Sequence, residues 1–316
     1  MSGYQIMGSE SRTKEMTEAG IQRLPAEVAA KMGSWRHGYA LTNGIQLHYV
    51  TQGEGELAIL LHGFPEFWYS WRHQIPVLAQ RFRVVAPDLR GYNDSDKPDH
   101  GYDLDTLTED VRGLLHHFGA QKAVVVAHDW GGAIAWHWAQ FFPHEIRKLA
   151  VLNSPHPACF RREFLSNLDQ LRRSWYLFFF QLPWLPEWVL QWDLGDWVRR
   201  IFQETSVRKS AFTRHDLQLY QEALAKPKVL TSALNYYRQL FNLPTLQNLF
   251  LQPMRQILAP TLLIWGEEDF ALSRELTEGM DPFFPNGLRK EYIPECGHWA
   301  QQEAPQTVNR LLMEFL

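Results

Sequence analysis

The stretch Ala123-Val124-Val125-Val126-Ala127-His128-Asp129-Trp130-Gly131-Gly132 decides the fold of this 316-residue chain. Its β-branched beginning predicts a fully buried strand. The alanine-rich residues that follow predict a helix, which Pro143 would end. A strand that passes directly into a helix needs a sharp turn, and the glycines at 131 and 132 permit one. The pattern is typical of a nucleophile elbow, with Asp129 at the position of the nucleophile.

The elbow carries an aspartate where serine is usual. A carboxylate is ionised at neutral pH, so it can attack a saturated carbon without a base to deprotonate it. Attack on an ester or amide carbonyl would instead give a reactive anhydride, which disfavours acyl transfer. The alternative interpretation is an ordinary turn in which Asp129 caps the next helix. Residues elsewhere in the chain decide between these two interpretations.

Strand and helix patterns alternate on both sides of the elbow. Strands are predicted at 45–50, 57–61, 83–87, 123–126, 148–153, 261–266 and 289–293, and helices at 70–80 and 103–118. Such alternation predicts a mostly parallel sheet flanked by helices, the α/β class. Between 155 and 258 the sequence is helical, aromatic and interrupted by prolines, with no convincing strand. We therefore expect an α/β-hydrolase fold with an inserted helical cap over the strand ends.

The expected organisation has a polar leader at 1–35, with a short helix at 25–32, a core at 36–154 and 259–316, and a helical cap at 155–258. The net charge of −4 offers no basic footprint for nucleic acid. Two cysteines without metal-ligand spacing favour a reducing, cytoplasmic location and no metal site. The longest aliphatic run is too short to cross a bilayer. Tryptophans concentrated between 130 and 200 suggest an apolar cavity.

A second motif, His62-Gly63-Phe64-Pro65-Glu66, follows the strand at 57–61. A glycine followed by X-Pro at the end of a strand fixes a tight loop, and Phe64-Pro65 is a candidate cis peptide. The backbone amides of such a loop can face a pocket. Beside an elbow, this is where an oxyanion hole would form. The alternative is an ordinary strand-to-helix turn.

If Asp129 forms a covalent ester, the site also needs a base to activate water and a group to orient that base. His298 follows the last predicted strand, and Asp269 ends the loop after the preceding strand. We prefer Asp269 to Glu267 and Glu268, because its shorter side chain would hold an imidazole more rigidly. The order nucleophile, acid, histidine is the one expected of α/β-hydrolases. A purely structural role is the alternative for His298.

Together these motifs resemble the epoxide hydrolases of the α/β-hydrolase superfamily over nearly all of the chain after residue 35, and most closely the branch of the vertebrate epoxide hydrolases 3 and 4. The motifs that carry the resemblance are His62-Gly63-Phe64-Pro65, His128-Asp129-Trp130-Gly131-Gly132, Trp175-Tyr176, Phe180-Gln181-Leu182-Pro183, Leu234-Asn235-Tyr236-Tyr237-Arg238, Gly266-Glu267-Glu268-Asp269 and Gly297-His298-Trp299. The resemblance implies that Tyr176 and Tyr237, from two parts of the cap, hydrogen-bond the epoxide oxygen. One departure is Asn93, where many relatives have glycine.

The resemblance implies an epoxide hydrolase that forms a hydroxyalkyl ester on Asp129 and hydrolyses it with water activated by His298, which Asp269 orients. Other expected site residues are Phe64 and Trp130 (oxyanion-hole amides), Phe64, Trp130 and Trp299 (substrate pocket), and His62, Gly63, Pro65, Gly131 and Gly132 (motif residues with structural roles). The cap aromatics Trp184, Trp188, Trp192 and Phe202 are expected to belong to the core. The expected partner is a small apolar epoxide, with no cofactor, metal, nucleic acid or transmembrane segment, and a homodimer is left open.

The nearest alternative is a haloalkane or haloacid dehalogenase, which uses the same Asp-His-Asp triad. Trp130 could serve as a halide donor, so it does not discriminate. The paired phenols of Tyr176 and Tyr237 favour the epoxide, because an opening ring leaves an alkoxide that needs hydrogen-bond donors. A catalytically silent binding module is disfavoured, because every catalytic position holds a competent residue.

Overall fold

A computed structural model describes residues 35–251 and 253–316. An eight-stranded sheet lies at its centre, with the order β1-β2-β4-β3-β5-β6-β7-β8. The strands are β1 (Arg36–Thr42), β2 (Ile45–Gln52), β3 (Glu56–Leu61), β4 (Phe82–Pro87), β5 (Ala123–His128), β6 (Ile146–Leu152), β7 (Thr261–Gly266) and β8 (Leu288–Ile293). The six strands β4-β3-β5-β6-β7-β8 pair in parallel. Strand β2 pairs antiparallel with both β1 and β4. The α/β-hydrolase fold predicted from the sequence is confirmed.

Helices flank the sheet and fill the long connection between β6 and β7. They are α1 (Ile75–Leu78), α2 (Leu104–His117), α3 (Trp130–Phe141), α4 (Pro157–Ser166), α5 (Leu168–Arg173), α6 (Trp175–Phe179), α7 (Leu185–Trp192), α8 (Leu194–Arg199), α9 (Arg214–Leu224), α10 (Val229–Leu240), α11 (Leu243–Leu251), α12 (Ala300–Glu303) and α13 (Pro305–Phe315). Shorter helical turns are Trp68–Trp71, Arg200–Glu204, Lys209–Ala211, Arg274–Thr277 and Asp281–Phe283. The described residues between β6 and β7 add no strand to the sheet.

Two features of the core differ from the prediction. Strand β1 was not predicted, because it is an edge strand in which exposed residues and Gly38 interrupt the apolar pattern. The single helix expected at 70–80 is wrong: the chain forms the turn Trp68–Trp71 and then the separate helix α1. Pro76 lies in the first turn of α1, where its missing N–H is tolerated, and this favours a new helix start there. The predicted leader, with its helix at 25–32, lies outside the described residues except for Trp35.

Ten of the 13 tryptophans fall into two groups that differ in exposure. Those at least 98% buried are Trp68, Trp71, Trp136, Trp138, Trp265 and Trp299. Trp175, Trp184, Trp188 and Trp192 are instead 63%, 71%, 53% and 76% exposed. The expectation that the last three belong to the core is wrong, whereas Phe202 is buried as expected. Apolar residues spaced four apart form one face of a helix, but the spacing does not tell whether that face is covered.

None of the helices in the described part of the chain has the length and apolar character that a membrane span requires.

Candidate active site

Asp129 occupies the sharp turn between β5 and α3. Its backbone has φ 49° and ψ −118°, and residues other than glycine rarely adopt such a positive φ. A Cβ on Gly131 would overlap the backbone oxygen of Leu61, and one on Gly132 would overlap the side chain of Ser154. The two glycines therefore let α3 start directly against the neighbouring chain, and the turn presents Asp129 at the carboxyl edge of the sheet.

The loop after β3 meets the carboxylate of Asp129. Its Phe64-Pro65 peptide is cis, as the sequence suggested. The Phe64 N–H donates to Oδ1 of Asp129 over 2.8 Å. A Cβ on Gly63 would overlap the Asp129 side chain, so only glycine allows this approach. One carboxylate oxygen is thus held by a backbone amide, while the side chain keeps 18% of its surface exposed.

His298 lies between two carboxylates. Its Nδ1 is 2.7 Å from Oδ2 of Asp269, and its Nε2 is 3.6 Å from Oδ2 of Asp129. Burial alone would lower the pKa of the imidazole, but the charge and hydrogen bond of Asp269 and the charges of Asp129 and Glu66 raise that pKa to about 9. In this state the imidazole is protonated at neutral pH and pairs with both aspartates.

Both oxygens of the Asp269 carboxylate accept hydrogen bonds. Its Oδ1 accepts from the N–H groups of Ala271 and Leu272 at 2.8 and 2.9 Å, and its Oδ2 accepts from His298 and from Nδ2 of Asn153 at 2.8 Å. Burial would raise the pKa of Asp269, but the charge of His298 and these hydrogen bonds hold the pKa below its ordinary value. The only sequence signal for Asn153 was its place at the end of a predicted strand.

Glu267 and Glu268, the other acids considered from the sequence, are exposed. Glu267 pairs with Arg274 at 2.7 Å. The loop therefore brings Asp269, and not these two glutamates, to the imidazole of His298.

A second buried pair lies behind His298. His128 Nδ1 is 2.7 Å from Oε2 of Glu66, and its Nε2 is 2.9 Å from the carbonyl oxygen of His298. The carboxylate oxygen of Glu66 and the carbonyl oxygen of His298 are both acceptors. Glu66 also accepts from the side-chain amides of Gln301 and Gln302 at 2.9 and 2.8 Å. Sequence reasoning did not assign a role to this pair.

Burial would raise the pKa of Glu66, but the charge of His128 and the hydrogen bonds of His128 and the Gly63 N–H hold that pKa below its ordinary value. The remaining motif histidine, His62, accepts from the Leu89 N–H at 3.0 Å. This bond joins the loop after β3 to the loop after β4.

The helical segment brings two phenols over the elbow. The rings of Tyr176 and Tyr237 meet edge to face at 5.8 Å, and Tyr237 also lies 5.2 Å from the ring of Trp130. Burial and the charge of Asp129 raise the pKa of both phenols, so both stay protonated. Tyr236 points elsewhere and donates to the carbonyl of Arg90 at 2.7 Å.

Aromatic side chains pack around Phe64, the residue whose N–H binds Asp129. Phe64 contacts the rings of Tyr237, Phe180 and Trp197 at 5.0, 5.7 and 6.1 Å. Trp197 was not among the residues expected from the sequence. Trp299 is 1% exposed and lies behind His298 at 4.8 Å.

Within residues 35–251 and 253–316, one group of side chains has the spacing of metal ligands, namely His48, Asp88 and Asp94. The oxygens of Asp88 already accept from the Trp68 N–H, His48 and Asn93 at 3.0, 2.6 and 2.8 Å. This carboxylate is therefore satisfied within the protein, where it joins the loop after β4 to His48 on β2.

Comparison with known proteins agrees with this geometry. A family described as alpha/beta hydrolase fold matches residues 58–305. Epoxide hydrolase 4 of Mus musculus is 40% identical over 282 residues, which cover 87% of this chain and 77% of that protein. AB hydrolase superfamily protein YfhM of Bacillus subtilis is 41% identical, covering 87% and 96% of the two chains. The crystal structure of an epoxide hydrolase of Bacillus megaterium in complex with an inhibitor superposes with a TM-score of 0.82, 35% identity, and coverage of 88% and 99%.

Proposed function

Since this chain belongs to the epoxide hydrolases of the α/β-hydrolase superfamily, we propose that it converts a small apolar epoxide to a vicinal diol through an ester on Asp129. The observation that carries the proposal is a carboxylate at the elbow with two protonated phenols, Tyr176 and Tyr237, beside it. The residues between β6 and β7 act as a cap that supplies these phenols and the apolar wall.

In the first step, Oδ2 of Asp129 attacks one epoxide carbon. The ring C–O bond breaks, and its electron pair stays on the epoxide oxygen. Tyr176 and Tyr237 donate hydrogen bonds to that oxygen, and one of the phenols supplies its proton. The proton that the imidazolium of His298 releases after esterification restores this phenol. Because the negative charge appears only as the ring opens, these donors stabilise the transition state more than the bound substrate.

In the second step, His298 takes a proton from water, and the water oxygen bonds to the carboxyl carbon of Asp129. The Phe64 and Trp130 amides hold the oxyanion that forms at Oδ1. Support comes from the 2.8 Å bond that Phe64 already gives to this atom. The acyl C–O bond then breaks, and the diol leaves with the former Oδ2 and the proton from His298. The second proton of the water passes from the new carboxyl group of Asp129 to His298, which restores the starting ion pair.

The protonation of His298 fits this order of steps. The charge of Asp129 is one of the causes that raise its pKa to about 9. Esterification removes that charge, so the pKa of the imidazole falls when a base is needed. His298 thus stabilises the free carboxylate as a cation and becomes a base only after alkylation.

A dehalogenase remains the second candidate, because it needs the same nucleophile, base and acid. Epoxide hydrolases among the relatives and solved structures favour the epoxide. Turnover of a panel of aryl and aliphatic epoxides beside haloalkanes separates the two activities.

The two free cysteines, both buried, agree with a reducing compartment.

The mechanism is tested by a single turnover in water enriched in heavy oxygen. The label should enter the carboxylate of Asp129 first, because water attacks the acyl carbon, and the first diol should be unlabelled at the new hydroxyl. His298→Gln should form the ester and fail to hydrolyse it, so a stable adduct on Asp129 should be found by mass spectrometry.

His144→Gln, at an exposed position, is the control and should turn over normally. A first-turnover diol labelled directly from solvent, with an unlabelled enzyme, would exclude the ester. Absence of both adduct and ring opening in His298→Gln would exclude the base role of this residue.

A further inference from the structure

Gln170 is a completely buried polar residue of the short helix α5. A buried side-chain amide loses its water, and the loss is offset only by hydrogen bonds within the protein. The hydrogen-bond partners of its side-chain amide lie in two places. One is the loop that carries Asp269, and the other is the start of the helix that carries Tyr176.

On the loop side, Gln170 binds the backbone twice. Its Nε2 donates to the carbonyl of Ala271 at 3.0 Å, and its Oε1 accepts from the N–H of Ser273 at 2.9 Å. The same turn gives the N–H groups of Ala271 and Leu272 to the carboxylate of Asp269. The turn is therefore held between Gln170 on one side and the catalytic acid on the other.

On the helix side, Nε2 of Gln170 gives its second proton to Oγ of Ser174 at 3.0 Å. Ser174 is the residue directly before α6, and Tyr176 is the second residue of that helix. Arg173, at the end of α5, donates to the carbonyl of Asp269 at 2.8 Å. The segment from 170 to 176 thus touches the acid loop and presents the phenol within two helical turns.

We infer that Gln170 is a positioning residue that joins the Tyr176 helix to the Asp269 loop, so that ring opening and ester hydrolysis share one support. The inference rests on the proposed function. It differs from the role of Asn153, whose amide donates to Asp269 and accepts from the N–H of Gly266 at 3.2 Å, both of which lie on the acid side of the site. Through these contacts, Gln170 keeps Tyr176, the donor of the first step, and His298, the base of the second step, aligned with the same Asp129 oxygens.

Gln170→Met tests the inference, because methionine keeps the length of the side chain and removes its hydrogen bonds. Formation and decay of the Asp129 adduct are followed by rapid quenching and mass spectrometry across the pH range. Both rates should fall by about 10-fold, as expected when reacting groups lose their alignment. The pH midpoint of the decay should move down, because a loosened Asp269 raises the pKa of His298 less.

Gln140→Met is the matched control. Gln140 is also buried and also binds a backbone carbonyl and a backbone N–H, those of Trp136 and Arg255, each at 3.2 Å. It should lower the melting temperature as Gln170→Met does and leave both rates and the pH midpoint unchanged. A Gln170→Met enzyme that loses only thermal stability overturns the inference, as does one in which either step keeps its wild-type rate.

Ser174→Ala removes only the bond to the Tyr176 helix and serves if Gln170→Met does not fold. It should slow adduct formation several-fold and leave adduct decay unchanged, and an unchanged formation rate would contradict the inference. Adduct formation by the wild-type protein is measured first. If the wild type forms no adduct, the proposed function itself fails, independently of Gln170.

Discussion

Asp129 and His298, the proposed nucleophile and base, meet at one edge of the sheet, but they are held in different ways. Asp129 is fixed by the backbone of a strand, a turn and a helix that are continuous in sequence. His298 is fixed by side chains from far apart in the chain, with Asp269 as its direct partner and Asn153 and Gln170 behind it. Backbone geometry is set by which residues fit a turn, whereas the second arrangement depends on long-range hydrogen bonds.

This difference implies different sensitivities. A backbone turn packed against a neighbouring strand cannot absorb an extra atom, so a small change should disrupt it entirely. Several donors hold the carboxylate of Asp269, so removal of any one of them should lower turnover only in part.

The largest expected effect comes from Gly131→Ala in the elbow. The new Cβ would overlap the backbone oxygen of Leu61, which cannot move aside as a side chain would. We expect loss of turnover and a fall in the free energy of unfolding of about 1–3 kcal/mol or more, the usual cost of overpacking. Single-turnover rates and urea unfolding measure both quantities.

Gly195→Ala is the control for that substitution. Its Cβ would meet only the flexible side chain of Gln221, at 3.3 Å, and alanine favours helix α8. Stability should be kept or improved. Equal damage from the two alanines would contradict the special tightness of the elbow.

The next effect concerns the donors of the cap. Tyr176→Phe and Tyr237→Phe should each slow adduct formation by roughly 10- to 1000-fold, since each removes one donor to the developing alkoxide. The double variant should be nearly inactive in ring opening, with less effect on hydrolysis of an ester already formed. Adduct accumulation in a His298→Gln background measures the first step alone.

Tyr236→Phe is the matched control, because the phenol of Tyr236 donates to the carbonyl of Arg90. It should reduce stability and spare adduct formation. If the double variant opens the epoxide ring at the normal rate, the cap phenols are not donors and the cap only covers the site. If only Tyr236→Phe slows ring opening, the donor is Tyr236 and not Tyr237.

The smallest effect is on stability as a function of pH. The pKa of His298 is raised in the folded protein to about 9 from 6.5. The protonated form is thus favoured by folding, and its contribution is complete below pH 6.5 and is lost as pH rises through 9. Urea unfolding between pH 6.5 and 9.5 should show this decline, and His298→Gln should reduce it. If His298→Gln leaves the decline in stability unchanged, the decline comes from other titrating groups.

The same contrast explains how much the sequence could predict. The α/β class, seven of the strands, the elbow and the cis Phe64-Pro65 peptide depend on local patterns, and the structure has them. Strand β1 depends on pairing with β2, and local pattern does not encode a partner. Gln170 escaped notice because a glutamine in a polar helix is ordinary until the loop against it is known.

For the site, too, local patterns could be predicted from the sequence and long-range partners could not. Asp129, His298 and Asp269 could be selected because each follows a predicted strand, and parallel strands bring such positions to one edge. The pair of Glu66 and His128 lay inside motifs already used for other purposes. Its role appears only when the carbonyl of His298 is found at the second ring nitrogen of His128.

The division of the tryptophans also provides two sets of built-in optical reporters. Those of the helical segment, at 175, 184, 188 and 192, are solvated and should emit at long wavelengths and be quenched by iodide. Those packed around the sheet should emit at short wavelengths and resist quenching. Movement of the helical segment on substrate binding can therefore be followed without an attached dye, and separately from unfolding of the sheet.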